Sequence, residues 1–418
     1  MGRVIADAVT SGLRIDAERM LERIERLATI NRREDGSCCR LALTDADREA
    51  RDLVVSWMHA AGLEVRIDGI GNIFAIRQGR TNGAPVMTGS HIDTVATGGR
   101  YDGVYGVVAG LEVLDTLNAA RAITDRPIAL AVFTNEEGVR FQPDMMGSLV
   151  FSGGMPLEAA LACTDGAVTL GSELNRIGYA GSMPCGTPVP HAFVELHIEQ
   201  GPVLDRNSET LGVVENLQGI SWQEVTIHGV SNHAGTTPMN LRHDAGHSAA
   251  KIAIFVRELA HRMGASQVAT VGSVRLIPNL INVIPGKAVI SVDLRNTDEN
   301  RLRAAERELA GLLDQLARDE GVQIEACSLA RTEPVIFDAH TVELISAVAA
   351  DMGLPIRRMT SGAGHDAQMI ARLCPTAMIF VPSVGGVSHN PREFTQPAHL
   401  ESGANALLNT LLRLSAYH

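Results

Sequence analysis

Residues 128–137 read Ile128-Ala129-Leu130-Ala131-Val132-Phe133-Thr134-Asn135-Glu136-Glu137. Six consecutive apolar residues followed by a polar turn fit a short strand buried on both faces, as in a parallel sheet covered by helices. The same design recurs along the chain. A strand at Pro85–Thr88 leads into Gly89-Ser90-His91, and Ala192–Ile198 and Ala377–Val381 are similar apolar runs. Between them lie helical patterns: 14–27, 43–61 with Thr44 as its N-cap, Gly106–Ala120, 340–352, 366–372 and 398–414. Shorter strands are expected at Leu63–Ile67, Asn72–Arg77 and Pro355–Met359. Strands alternating with helices give an α/β class, with a mixed, mostly parallel sheet and flanking helices.

The middle of the chain has a different order. Strand Ser221–Val230 is followed by helix Pro238–Gly264. Strands Gln267–Leu276 and Lys287–Arg295 come next, then helix Asp298–Glu320 and strand Val322–Leu329. This is the split β-α-β-β-α-β order of a ferredoxin-like α+β domain. Residues 218–329 are therefore expected as an insertion, and residues 1–217 and 330–418 as one catalytic domain made from both ends of the chain.

A length of 418 residues suits two or three domains. Apolar residues at 45% and charged residues at 20% exclude a disordered chain. The formal charge of −12 argues against a nucleic-acid partner, because no basic stripe offsets it. No apolar run approaches the roughly 20 residues needed to cross a bilayer. Residues 1–30 alternate charge and apolarity as an amphipathic helix would, without the continuous apolar core of a secretion signal. The six cysteines form no CxxC pair, so reduced thiols in a cytoplasmic protein are expected.

Five segments place metal-capable side chains beside strand or helix ends. They are Ser90-His91-Ile92-Asp93, Tyr101-Asp102-Gly103, Asn135-Glu136-Glu137, His197-Ile198-Glu199-Gln200 and Ser388-His389-Asn390. In open α/β sheets, ligands bind beyond the carboxyl ends of the strands. Imidazole and carboxylate without thiolate suit Zn²⁺, Mn²⁺, Co²⁺ or Ni²⁺. Three histidines and two acids can hold two divalent ions if one carboxylate bridges them, and Asp102 is the candidate bridge. Of the adjacent Glu136 and Glu137, one can bind metal while the other serves as a base. Asp93, two residues beyond His91, is placed to accept that ring's second N–H.

Weaker signals surround this set. In Ser361-Gly362-Ala363-Gly364-His365-Asp366, two readings stand: Gly362 and His365 line a ligand pocket, or the glycines form a turn before a helix at Asp366. Glu199 has no assigned role. His228, His243, His247, His261 and His340 are expected on helix or strand surfaces.

The motifs Ser90–Val95 (SHIDTV), 98–107 (GGRYDGVYGV), 133–141 (FTNEEGVRF), 194–204 (VELHIEQGPVL), 232–239 (NHAGTTPM), 281–286 (INVIPG) and 386–391 (GVSHNP) resemble the M20 family of dinuclear metallohydrolases. Within it they resemble the hydantoinase/carbamoylase branch of amidases, over nearly the whole chain. His197 stands where peptidase and aminoacylase relatives carry an acidic ligand. The resemblance implies a zinc aminopeptidase-like catalytic domain with an inserted lid and dimerisation domain. It implies one ion on His91, Asp102 and His197, and another on Asp102, Glu137 and His389. Glu136 would be the general base, with Asp93 supporting His91. Gln200, His233, Asn282 and Arg295 would bind substrate, and His233 would also donate to the reacting carbonyl. In a homodimer paired through the inserted domain, His233 and possibly Asn282 and Arg295 would reach the partner's site. The implied reaction splits the ureido C–N bond of N-carbamoyl-L-amino acids into amino acid, ammonia and CO2. Its alternatives are action on allantoate or on a β-ureidopropionase-type substrate, an N-acyl amino acid or peptide hydrolase, and a non-catalytic metal-binding module.

Overall fold

The computed structural model describes residues 12–264 and 266–416, so the first eleven residues of the expected N-terminal helix lie outside the described residues. The chain divides into two compact units. One runs to Glu215 and resumes at Phe337; the other is Asn216–Ile336. The second unit extends past 218–329 at both edges because Val335 and Ile336 pair antiparallel with Leu217 and Asn216.

In the first unit, Val86–His91 lies between Ile128–Phe133 and Ala192–Ile198, parallel to both, and Thr376–Val381 lies parallel to Ala192–Ile198. These four strands are buried along their whole lengths. The flanks are antiparallel: Ile73–Arg77 runs against Ile128–Phe133, Glu64–Ile67 against Ile73–Arg77, and Leu211–Leu217 against Thr376–Val381. The result is the expected mixed α/β sheet, parallel at its centre.

Helix Val104–Ala119 buries thirteen of its sixteen residues, which explains why its sequence is apolar all round rather than striped. Phe133, the last residue of its strand, packs against Phe74, Phe151 and Phe193 with ring centroids 6.4, 6.0 and 6.2 Å away. This cluster pins the strand end that introduces Glu136 and Glu137. Truncating such a buried ring typically costs about 3–5 kcal/mol.

Helix Asp45–Ala60 begins as expected, with Thr44 accepting the Asp47 N–H. Between residues 138 and 191, where no element was expected, the chain forms three short helices: Met146–Phe151, Leu157–Leu161 and Leu170–Ile177.

The second unit is an antiparallel sheet in the order Val268–Ile277, Lys287–Asn296, Gly219–His228, Gln323–Thr332. Helices Ala245–Met263 and Glu299–Asp319 supply Ile252, Val256, Leu259, Leu302, Leu309 and Leu316 to its core, against Val225, Ile227, Ile290, Val292 and Leu294. The helix expected from Pro238 begins later. Asp244 caps it by accepting from Gly246 and His247, and Met239–Leu241 form a separate 3-10 turn.

Candidate metal centre

His91 ends the strand Val86–His91, and His197 lies one residue from the end of Ala192–Ile198. Each ring presents Nδ1 to a main-chain carbonyl at 2.9 Å, His91 to Asp93 and His197 to Ile198. A carbonyl only accepts, so Nδ1 carries the proton and Nε2 is left facing the site. This corrects the expectation for Asp93. Its carbonyl, not its carboxylate, fixes His91; the nearer carboxylate oxygen is 3.9 Å away. The carboxylate instead accepts the N–H of Glu136 at 3.3 Å and of Glu137 at 3.2 Å. The carbonyls of Thr134, Asn135 and Glu136 accept from Gly147, Met146 and Met145. The loop bearing both glutamates is thus braced from each side.

Asp102 lies between these histidines and a third. Its Oδ1 is 3.2 Å from His197 Nε2 and 3.7 Å from His91 Nε2, while its Oδ2 is 3.1 Å from His389 Nε2. Gly103 makes this approach possible. Its φ is +65°, and a Cβ there would overlap the His91 ring. Gln200, also at positive φ, donates its amide to Asp102 Oδ2 at 2.8 Å, and its own Oε1 is buried without a partner.

The two glutamates diverge. Glu136 Oε2 is 3.4 Å from His91 Nε2, whereas Glu137 Oε2 is 3.5 Å from His389 Nε2 and its Oε1 accepts from Val95. Among the described residues, ligand atoms of His91, Asp102 and His197 lie within 4.8 Å of one another, and so do those of Asp102, Glu137 and His389.

The electrostatics fit a cation. Burial and neighbouring carboxylates push Glu136 and Glu137 well above the usual carboxylate range. Burial pushes Asp93, Glu195 and Glu393 up to about 7. Asp102 is the exception: burial would raise it, but His197, His389 and His91 outweigh burial and hold it well below its usual value. Burial lowers His91 to about 4, whereas at His197 the hydrogen bond and charge of Asp102 outweigh burial and hold the ring at about 9. So many buried acids facing imidazoles form a donor set for divalent metal.

His365 is 1% exposed. Its ring packs edge-on to His197 with centroids 4.6 Å apart, and its Nε2 meets Ser361 Oγ at 3.0 Å. It backs His197 rather than lining an open surface, while Gly362 is exposed in the adjoining turn. Glu199 caps helix Val203–Asn207, accepting from Val203 and Leu204 at 2.7 Å each.

His233, Asn282 and Arg295 belong to the second unit. His233 and Asn282 are neighbours there, since Ala234 donates to the Asn282 carbonyl. His233 Nδ1 accepts from Gly235 and Thr236, so its Nε2 bears the proton and can donate. Arg295 lies over Trp222 at 5.9 Å and pairs with Asp293 at 2.9 Å.

Glu195 and Glu393 are buried acids beside the candidate ligands that the sequence motifs do not single out. Glu195 accepts from Ser90 and Ala367 beside His197; a lone acid in the apolar strand Ala192–Ile198 was its signal. Glu393 follows His389 by four residues, and two of its three partners, the Tyr101 and Asp102 N–H groups, lie on a distant loop.

Residues 87–413 match the family Peptidase family M20/M25/M40. The chain is 39% identical to an N-carbamoyl-L-amino-acid amidohydrolase of Rhizobium meliloti, covering 96% of each. It is 35% identical to an allantoate amidohydrolase of Bacillus subtilis (strain 168), over 94% of this chain and 96% of the relative. A crystal structure of an amidase of the hydantoinase/carbamoylase family from Burkholderia multivorans superposes with a TM-score of 0.94 at 42% identity, covering 97% of this chain and 99% of that one. The chain belongs to the M20 family of hydrolases and, within it, to the hydantoinase/carbamoylase amidases, which cleave linear amide bonds.

Proposed function

We propose that this protein hydrolyses the ureido group of N-carbamoyl-L-amino acids with two divalent ions per subunit, drawn from Zn²⁺, Mn²⁺, Co²⁺ or Ni²⁺. The observation that carries the reading is Asp102, which turns one oxygen to His91 and His197 and the other to His389. His91, Asp102 and His197 would hold one ion, and Asp102, Glu137 and His389 the other. When bound, such ions act as Lewis acids that bring the pKa of water toward about 7.

Glu136 takes the proton of the attacking water and returns it to the leaving nitrogen. Its high proton affinity suits both transfers, and Asp93 supports it by gripping the Glu136 and Glu137 N–H groups. His233 donates Nε2–H to the carbonyl oxygen as negative charge builds there; removing one such donor typically costs about 10²–10³ in rate. Gln200 offers its unpaired Oε1 to a substrate N–H. Arg295 presents a planar fork to the substrate carboxylate, with Asn282 beside His233 as a neutral partner. Gly362 contributes backbone near the substrate, and His365 steadies His197. Attack on R–NH–CO–NH₂ releases amino acid, ammonia and CO2. The second unit acts as a lid and as the pairing surface of a homodimer, to be checked by light scattering.

The closest alternative is allantoate, supported by the Bacillus subtilis relative. The experiment that separates them uses Mn²⁺-loaded protein and measures ammonia release on N-carbamoyl-L-methionine, N-carbamoyl-β-alanine and allantoate, and methionine release on N-acetyl-L-methionine. The proposal expects the carbamoyl α-amino acid to be preferred. Preference for allantoate would overturn the substrate assignment and leave the site chemistry standing.

A further inference from the structure

Glu393 has no place in the ligand sets above, yet it is 3% exposed and touches both loops that bear the distal ligands. Its Oε1 accepts the N–H of Tyr101 at 2.9 Å and of Asp102 at 3.3 Å, and its Oε2 accepts the Ser388 hydroxyl at 2.8 Å. The Asn390–Glu393 turn, closed by Glu393 N–H to the Asn390 carbonyl, brings the side chain back beside Ser388. Gly99 leaves it room: a Cβ there would overlap the Glu393 side chain.

The Ser388 hydroxyl is the informative group. It has one proton and two carboxylates to choose from, Glu393 Oε2 at 2.8 Å and Asp102 Oδ2 at 3.3 Å. Asp102 Oδ2 already accepts the Gln200 amide at 2.8 Å, so while Glu393 takes the Ser388 proton, Oδ2 keeps its remaining lone pair for the side facing His389. We propose that Glu393 is a positioning residue that ties the Tyr101–Asp102 loop to the Ser388–His389 loop and keeps the Ser388 proton off Asp102 Oδ2. This inference rests on the two-ion reading. Both Glu393 oxygens already accept from the protein, so Glu393 acts through Asp102 and His389 rather than as a ligand.

Glutamine at this position separates the roles. Its carbonyl can still accept from the Tyr101 and Asp102 N–H groups, but its amide donates toward Ser388. The hydroxyl proton then turns to Asp102 Oδ2. Glu393→Gln should therefore weaken the ion on the His389 side and spare the ion on the His91 and His197 side. Disrupting a group that orients a metal ligand typically costs about 10–100-fold in affinity.

The test is Mn²⁺ titration calorimetry on the EDTA-stripped full-length protein, with thermal melting of the same stripped samples. The expected result is two sites in wild type and a loss of about 10–100-fold at one of them in Glu393→Gln, with little change in the stripped melting temperature. Ser388→Ala should show a measurable loss at the same site, smaller than about 10-fold. The double variant should be no weaker than Glu393→Gln alone, because the redirected proton is gone. Glu393→Asp should recover part of the loss, and Gly99→Ala should reproduce it.

Unchanged affinity at both sites would overturn the proposal. So would equal losses at both sites with a lowered stripped melting temperature, which marks a purely structural role. If Glu393→Gln does not fold, unaltered affinity in Ser388→Ala overturns it. A wild type with a single site would sink the two-ion reading instead, and the Glu393→Gln ratio at that one site would still decide the role of Glu393.

Discussion

The two halves of the candidate metal centre are built by different means. His91 and His197 sit at the ends of fully buried parallel strands, and each ring is fixed by a main-chain carbonyl. His389 sits on a loop at φ +52° with half of its side chain exposed, and it is held through side chains of its neighbours. A sheet holds its ligands whether or not metal arrives; a loop needs local ties. The strand-borne half should therefore bind its ion tightly and the loop-borne half more weakly.

Asp102→Asn should break the comparison most severely, because both halves share this carboxylate. Metal affinity should fall more than about 100-fold at both sites. His389→Ala should remove only the weaker site, and metal counting after dialysis distinguishes the two. Loss of both ions in His389→Ala would show that the halves are not independent.

Glu136→Gln should reduce kcat by about 10²–10⁴-fold while both ions stay bound. It tests whether Glu136 acts as a base rather than as a ligand, since its Oε2 lies 3.4 Å from His91 Nε2. Activity within tenfold of wild type would remove it as the base.

Asp93→Asn tests the brace common to both halves. It should lower kcat by about 10–100-fold with His91 still ligating, since the carbonyl that orients His91 is untouched. Loss of the His91 ion instead would restore the side-chain role first expected for Asp93.

The smallest effect concerns acidity. In stripped protein, Asp93, Glu195 and Glu393 titrate near 7, above their ordinary 3.8, 4.5 and 4.5. A raised carboxyl favours the folded state below its ordinary value and loses that contribution as pH rises through 7. His197, raised to about 9, acts in the same direction between 6.5 and 9, whereas His91, lowered to about 4, opposes it between 6.5 and 4. Melting of stripped protein should fall by several degrees between pH 5 and pH 8. Loaded protein should move the other way, because its ligands must be deprotonated.

The strand-borne half was the more legible in sequence. An apolar run ending in His91, or broken only by Glu195 before His197, announces itself locally. The helix expected from Pro238 started too early because apolar spacing does not reveal that Asp244 would cap it. The misreading of Asp93 came from a choice between its carbonyl and its carboxylate, which is decided by backbone angles. Glu393 was hidden because two of its partners, the Tyr101 and Asp102 amides, are main-chain groups almost three hundred positions away, and amide hydrogens have no sequence signature. Beyond position 138 the three short helices lack the periodic length that makes longer ones readable.

The carbonyls of Asp93 and Ile198 carry a consequence for variation. They belong to the peptide chain, so no amino-acid replacement deletes them, and an alanine scan would pass over both without a signal. Inherited change can reach the orientation of these two imidazoles only indirectly, and Gly103, whose missing side chain admits the His91 ring, is the most exposed point of entry. On the loop-borne side the ties between the two loops run through the side chains of Glu393 and Ser388, so that side is where single substitutions can retune or lose an ion.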